Sequence, residues 1–299
     1  MTRINQSTDP LSVLETLLPH LRAGAEYALC IQNRIAHQPD KATLGDNRFA
    51  AALSDADVSI QTAIEVAVLS AFPEARFYGE EYASSVNTKY LAGTWWDDGS
   101  NDWVFLLDPI DGTRYYLDQG EFQVIFSIAS PERFEASIFL FPRRRKMIYA
   151  VHGGGAFIAD WSISSLRSGE PLRLTPVSAP VYISRTPYRD DATMSDFGVF
   201  QLNRDYRPGP QTPIYAGFFF GQFSAIVMSS GQLIDGAALA FVASEAGAIV
   251  TTHRGEKMPP PASAGPDRAL EGLVISLERS VHDRILGGIT AGSHLSPPC

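Results

Sequence analysis

The feature that most restricts the fold is a continuous apolar run, Trp103-Val104-Phe105-Leu106-Leu107, that stops abruptly at Asp108-Pro109-Ile110-Asp111-Gly112-Thr113. The run lies between Asp102 and Asp108 and offers no polar face, so it reads as a strand buried on both sides within a larger sheet. The hexapeptide then puts two carboxylates just past the strand end, followed by a glycine and a hydroxyl. Asp-Pro and Asp-Gly are ordinary turn dipeptides. Two aspartates across a Pro-stiffened turn also suit hard cations such as Mg2+, which take oxygen ligands. In that case Gly112 lets backbone amides approach a phosphate, and Thr113 holds an attacking water by hydrogen bond. Taken alone, the segment supports either reading.

Composition narrows the setting. A chain of 299 residues with 45% hydrophobic content buries a substantial core, as one large domain or two closely packed subdomains. The net charge of −9 argues against a nucleic-acid polymer as partner. A small phosphorylated substrate stays open, because bound divalent cations invert the local sign of an acidic pocket. The two cysteines, Cys30 and Cys299, provide no disulfide framework and fit a reducing cytoplasm. The amino terminus lacks a basic-then-apolar leader pattern. Apolar stretches such as 216–228 are too short and too interrupted to cross a bilayer, so a soluble, cytoplasmic protein with no membrane partner is expected.

Along the chain, apolar residues recur at helical spacing from Leu11 to Ile35 despite Pro19. A second helix is predicted from the capping cluster Ser54-Asp55-Ala56-Asp57 to a stop at Pro73. Arg76-Phe77-Tyr78 reads as a short strand ending at Gly79-Glu80-Glu81, and 84–102 as a polar loop around Trp95 and Trp96. Strands predicted at 122–129, 136–141, 146–151 and 156–159 have hairpin spacing and form an antiparallel sheet. Beyond residue 150 the pattern predicts a strand at 180–184, a helix at 194–200, an apolar element at 214–220, a helix opened by Asp235 and stopped at Gly247, and a strand at 248–252. Segments 259–266 and 293–299 read as irregular. Among other tempting features, Arg143-Arg144-Arg145-Lys146 and Gly153-Gly154-Gly155 read as hairpin turns, and Phe218-Phe219-Phe220 as core. His37, His152 and His253 lack metal-ligand spacing.

Three further carboxylates stand at element ends: Asp57 at a helix start, Glu80 after a strand, and Asp235 at a later helix start. In this order, with Gly79-Glu80-Glu81, Asp108 to Thr113, and Asp235-Gly236-Ala237-Ala238 followed by Glu245-Ala246-Gly247, the chain resembles the inositol monophosphatase superfamily. That superfamily includes 3′(2′),5′-bisphosphate nucleotidases and fructose-1,6-bisphosphatases. The resemblance implies an α/β layered sandwich (αβαβα). A helix pair and antiparallel sheet over 1–150 would carry most metal ligands, and a smaller α/β half over 151–299 would supply the late aspartate and the substrate pocket. It implies a Mg2+-dependent phosphomonoesterase with two or three ions, inhibited by lithium. Glu80, Asp108 and the Ile110 carbonyl would hold one ion, Asp108, Asp111 and Asp235 a second, and a third, weaker ion would sit beside Glu80. The Thr113 hydroxyl, polarised by Asp57, would orient the attacking water, and the amides of Gly112 and Thr113 would cradle the phosphate. Relatives are often homodimers, which extends loosely to this chain.

Substrate positions depart from the inositol phosphatase pattern. Met228 stands seven positions before Asp235, where an acidic residue normally binds substrate hydroxyls, Ile234 replaces the Trp of the late motif, and Gly209-Pro210-Gln211 replaces a small-residue segment. Gly112-Thr113-Arg114-Tyr115-Tyr116 with Gly120-Glu121-Phe122-Gln123-Val124 is closer to the nucleotidase-like Gly-Thr-Lys-Glu-Phe and Gly-Glu-Phe-Thr-Val. Arg114, Tyr115, Gln211 and Met228 are the candidate substrate contacts. The expectation is hydrolysis of an inositol, sugar or related polyol phosphate. A bisphosphate nucleotidase, or a catalytically silent member that binds a phosphorylated ligand or a protein, are the alternatives.

Overall fold

The computed structural model describes residues 8–35, 54–81, 95–96, 102–184 and 197–293. These residues form a mixed α/β architecture in which helices flank two sheets. They divide into two compact units, 1–171 with 208–214, and 172–207 with 215–299.

The first unit opens with helix α1 (Pro10–Ile31). Asp9 caps it, accepting from the Leu11 amide at 3.2 Å and the Ser12 hydroxyl at 2.7 Å. Pro10 sits in the first turn, where a missing N–H leaves no helical bond unmade. Val13, Leu14, Leu17, Leu18, Leu21, Ala25 and Ala28 form the buried stripe, and Pro19 lies on the exposed side. The helix ends at Ile31 rather than continuing to Ile35, and the chain then turns at Gln32. Helix α2 (Asp55–Ala71) stops before Pro73 as expected. The pair approaches closely at Gly24, where a Cβ would come 3.1 Å from Ile60 Cγ2.

Against this pair lies a seven-stranded sheet of β1 (Arg76–Gly79), β2 (Val104–Asp111), β3 (Gln123–Ala129), β4 (Phe134–Phe141), β5 (Lys146–Val151), β6 (Gly155–Asp160) and β7 (Glu170–Pro171), in that spatial order. β1 and β2 are parallel and every later pairing is antiparallel. Between β2 and β3 sits the single-turn helix α3 (Thr113–Leu117). Phe105 and Leu107 of β2, Val124, Phe126 and Ile128 of β3, and Ile138 and Leu140 of β4 share one core with the buried stripes of α1 and α2. One expectation is corrected here: β2 does not end at Leu107 but carries the ladder through Asp111, because Asp111 pairs with Gln123. Most of the loop expected at 84–102 lies outside the described residues, as does His37.

The second unit holds β8 (Val181–Ile183), β9 (Val199–Gln201), the one-turn helix α4 (Leu202–Asp205), β10 (Ala225–Gln232), α5 (Gly236–Glu245), β11 (Ile249–Thr252), β12 (Ala269–Ser276) and α6 (Arg279–Ser293). Its sheet order is β11-β12-β10-β8-β9. Helix α6 packs Val281 and Ile285 on Val181, Ile183, Val227 and Val274. Helix α5 takes the other face, where Met228 alternates with Val227 along β10 and its sulfur would lie 2.8 Å from a Cβ at Gly236. The helix expected at 194–200 is overturned in its described part, since Val199–Gln201 pairs in parallel with β8. Residues 194–196 lie outside the described residues. The element expected at 214–220 is a 3-10 helix, Tyr215–Phe220, with Phe218 and Phe219 buried. Among the described residues, no helix is long and apolar enough to cross a membrane.

Candidate metal centre

The geometry of the Asp108 to Thr113 segment follows from a bulge. Across β2 and β3, Asp108 pairs with Ile125 and Asp111 with Gln123, so β2 spends one residue more than β3 over the same span. In a regular strand, residues three apart point to opposite faces. The extra residue, at the step occupied by Pro109 and Ile110, cancels one alternation. Ile110 therefore rejoins Phe105 and Leu107 in the core under the helices, while Asp108 and Asp111 share the other face. Their carboxylates offer oxygens within 4.8 Å of each other, and the side chains are buried, with relative exposures of 3% and 8%. Two carboxylates at that separation repel by about 3 kcal/mol at an effective dielectric of ~20. A hard cation bound between them removes that cost, and the all-oxygen donor set fits Mg2+ rather than a softer metal. Among the described residues, no histidine or cysteine belongs to a group with metal-ligand spacing.

Strand pairing brings the backbone of Glu80 next to β2, while its carboxylate does not join the oxygen cluster of Asp108 and Asp111. Gly79 stands opposite Leu107 in the parallel ladder, and the Glu80 amide donates to the Leu107 carbonyl at 3.1 Å. Glu80 thus leaves β1 where β2 reaches Asp108. The turn is held from α2: the buried Gln61 accepts from the Glu81 amide at 2.9 Å and donates to Glu65 at 3.1 Å. Gly79 is needed for that contact, since a Cβ there would come 2.3 Å from the Gln61 amide carbon.

Asp57 and Thr113, apart by 56 positions, meet directly. The Thr113 hydroxyl lies 3.1 Å from Asp57 Oδ1 and 3.0 Å from the Ile110 carbonyl. With one proton it donates to one acceptor at a time. Asp57 is the third residue of α2 and fully buried, and its Oδ2 accepts from the amide of Ser54 at 2.9 Å and from the Ser54 hydroxyl. Such reciprocal capping fixes the carboxylate while leaving Oδ1 to Thr113. Gly112 caps α3 at φ 87°, in the left-handed region, and a Cβ there would stand 2.5 Å from Ile214 Cδ1. Thr113 opens α3, whose first turn leaves amides without intrahelical partners.

The remaining candidates are placed more diversely. Arg114 is half-buried. Tyr115 is buried, with its hydroxyl 3.5 Å from the Pro213 carbonyl, and Gln211 is exposed in the same 208–214 segment. In the second unit, Asp235 caps α5: its side chain accepts from the Gly236 amide and its carbonyl from the Leu239 amide at 2.9 Å. Met228 is buried beneath that helix start.

Three residues of the centre escape a reading of carboxylates alone. Ser54 was accessible through the Ser-x-x-Asp capping pattern, and Gln61 through its position one turn after Asp57. Gln123, which donates to Asp111 Oδ2, carries no such signal. The α3 turn is further tied down by Gln32, whose amide donates to the Tyr116 carbonyl at 3.0 Å and the Gly120 carbonyl at 2.9 Å. The Tyr116 hydroxyl donates to Ala28 at 2.9 Å, and burial pushes its phenol upward. The basic run serves this turn as well: Arg143 donates to Gln32 at 2.6 Å and Arg144 to Glu121 at 2.7 Å.

Solved structures with the same fold are numerous. The IMPase of Thermotoga maritima superposes with a TM-score of 0.69 at 17% identity, covering 95% of this chain and 98% of that one. The extragenic suppressor protein suhB of Bartonella henselae gives 0.66 at 15% identity, over 94% and 99%. An IMPase/NADP phosphatase complexed with Mg2+ and phosphate gives 0.63 at 18% identity, over 93% and 94%. No curated protein matches the sequence. A family profile described as the inositol monophosphatase family matches residues 15–288, and the chain belongs to that family.

Proposed function

We propose that this protein is a Mg2+-dependent phosphomonoesterase acting on a small phosphorylated metabolite of the inositol, sugar or polyol phosphate class. The observation that carries the reading is the bulge that turns Asp108 and Asp111 to one face, with oxygens within 4.8 Å, beside the Asp57–Thr113 pair. Family membership supports it, as does the relative of the same fold that holds Mg2+ and phosphate.

In this reading Glu80, Asp108 and the Ile110 carbonyl would hold one cation, Asp108 and Asp111 would contribute to a second, and a third, weaker one would sit beside Glu80. Bound there, Mg2+ supplies charge neutralisation of the phosphate, activation of water and stabilisation of the leaving alkoxide. The chain's own residues do the positioning. Thr113 presents its oxygen to the attacking water and passes its own proton toward Asp57, whose other oxygen stays occupied by Ser54. Asp57 thereby fixes the direction of the Thr113 lone pairs. The amides of Gly112 and Thr113 bind the phosphate oxygens, with the left-handed Gly112 letting the backbone approach. Arg114, Tyr115 and Gln211 are proposed to shape the leaving-group side.

A panel of inositol, sugar and nucleoside phosphates, assayed with and without Mg2+, tests the reading. Mg2+-dependent phosphate release from a polyol or sugar phosphate is the expected result. Selective hydrolysis of adenosine 3′,5′-bisphosphate would move the assignment to a nucleotidase. Release from none, with metal binding intact, would make the protein a silent binding member.

A further inference from the structure

We propose that Gln123 is a positioning residue that locks the metal ligand Asp111 in its coordinating orientation. This inference rests on the metal-centre reading above. Gln123 opens β3 directly across the ladder from Asp111, and it is completely buried. Along β3, Val124, Phe126 and Ile128 face the helix core, so Gln123 and Ile125 face the other way. That is the side to which the bulge turns Asp108 and Asp111.

The side chain's Nε2 donates to Asp111 Oδ2, while its Oε1 is buried with no hydrogen-bond partner. The amide orientation follows from chemistry: reversed, an acceptor oxygen would face a carboxylate. A buried amide that leaves its oxygen unsatisfied in order to deliver its N–H to a carboxylate is placed for that donor. With Oδ2 engaged by Gln123, the Asp111 carboxylate cannot rotate freely. The donor is neutral, so it orients the ligand without supplying a positive charge that would compete with the metal. A lysine or arginine here would displace the cation. The Thr of the similar nucleotidase-like Gly-Glu-Phe-Thr-Val segment has a shorter side chain and carries no amide. Partners of metal-binding carboxylates act in this way generally, and their loss costs roughly 10- to 100-fold in metal affinity.

The test is calorimetric titration of Mn2+ into the full-length protein, with no substrate present, for the wild type, Gln123→Met and Gln123→Thr. Ser127→Ala serves as control, because it removes a buried 2.8 Å hydrogen bond to Ser137 further along β3 without touching Asp111. The expected result is a dissociation constant raised about tenfold or more in both Gln123 variants, with Ser127→Ala unchanged. Thermal midpoints of the metal-free proteins identify any variant that fails to fold, in which case the other Gln123 variant decides. Wild-type affinity in a folded Gln123 variant overturns the proposal, as does an equal loss in Ser127→Ala. Absence of Mn2+ binding by the wild type would instead overturn the metal-centre reading itself.

Discussion

Gly112→Ala probes a tight, left-handed point of the centre, and its cost separates into two parts. The backbone stands at φ 87°, where an L-residue loses roughly 1–2 kcal/mol to the clash of Cβ with its own carbonyl. The new methyl also meets Ile214 Cδ1 at 2.5 Å, an overpacking contact worth roughly 1–3 kcal/mol if the neighbour shifts only in part. The sum is a destabilisation of about 2–5 kcal/mol. Ile214→Val deletes the offending carbon, at a cost of about 0.5–1.5 kcal/mol on its own. In that background Gly112→Ala should retain only the backbone part, about 1–2 kcal/mol. The four tryptophans, Trp95, Trp96, Trp103 and Trp161, all belong to the unit that contains Gly112 and Ile214. Urea unfolding followed by tryptophan fluorescence therefore reads that unit alone. Equal costs of Gly112→Ala in the two backgrounds would refute the contact, and a total below about 0.5 kcal/mol would refute the left-handed cap as well.

Thr113→Val keeps the shape and removes the hydroxyl between Asp57 and Ile110. It should lower kcat by roughly 10²- to 10⁴-fold and, by removing a donor to a buried carboxylate, cost about 1–3 kcal/mol of stability, whereas Thr113→Ser should keep most of the turnover. The buried His282 gives a pH signature. Its Nε2 lies 2.9 Å from the Thr251 hydroxyl and its Nδ1 2.9 Å from the Ser276 hydroxyl. Burial, with Arg279 nearby, depresses its pKa below the ordinary 6.5, and burial depresses that of His253 likewise. The unfolded chain then takes up protons first. Stability is full above about pH 6.5 and falls as pH drops from there toward the depressed values. Thermal melts followed by circular dichroism from pH ~7.5 to ~5.5 should show the fall, reduced in His282→Gln; an identical slope in that variant would count against the assignment.

Helices with a clean apolar stripe were legible, as α1 and α2 demonstrate, and so were β3 to β6, whose hairpin spacing repeats. The second unit was read less well, for physical reasons. β10 ends in Ser229-Ser230-Gly231-Gln232, which dilutes its apolar pattern, yet it holds its place by pairing with β8 and β12. Helix α6 carries Gly287 and Gly288 and owes its existence to Val281 and Ile285 on the sheet rather than to propensity. The centre's carboxylates were visible because they stand at element ends. The bulge that aligns them was not, since it appears only in the register between β2 and β3. Gln32 and Gln123 were invisible for a similar reason: an isolated glutamine is ordinarily a surface residue, and only partners far along the chain reveal these two as buried struts.

The proposed hydrolysis depends on a cation held by Asp108. It is tested by comparing wild type and Asp108→Asn on the phosphate ester that the wild type cleaves best, titrating Mg2+ and measuring phosphate release. Wild-type turnover should rise with Mg2+ and disappear with chelator. The folded variant should lose about 100-fold or more in turnover, which added Mg2+ does not restore. Unchanged turnover in Asp108→Asn, or wild-type turnover indifferent to chelation, would contradict it.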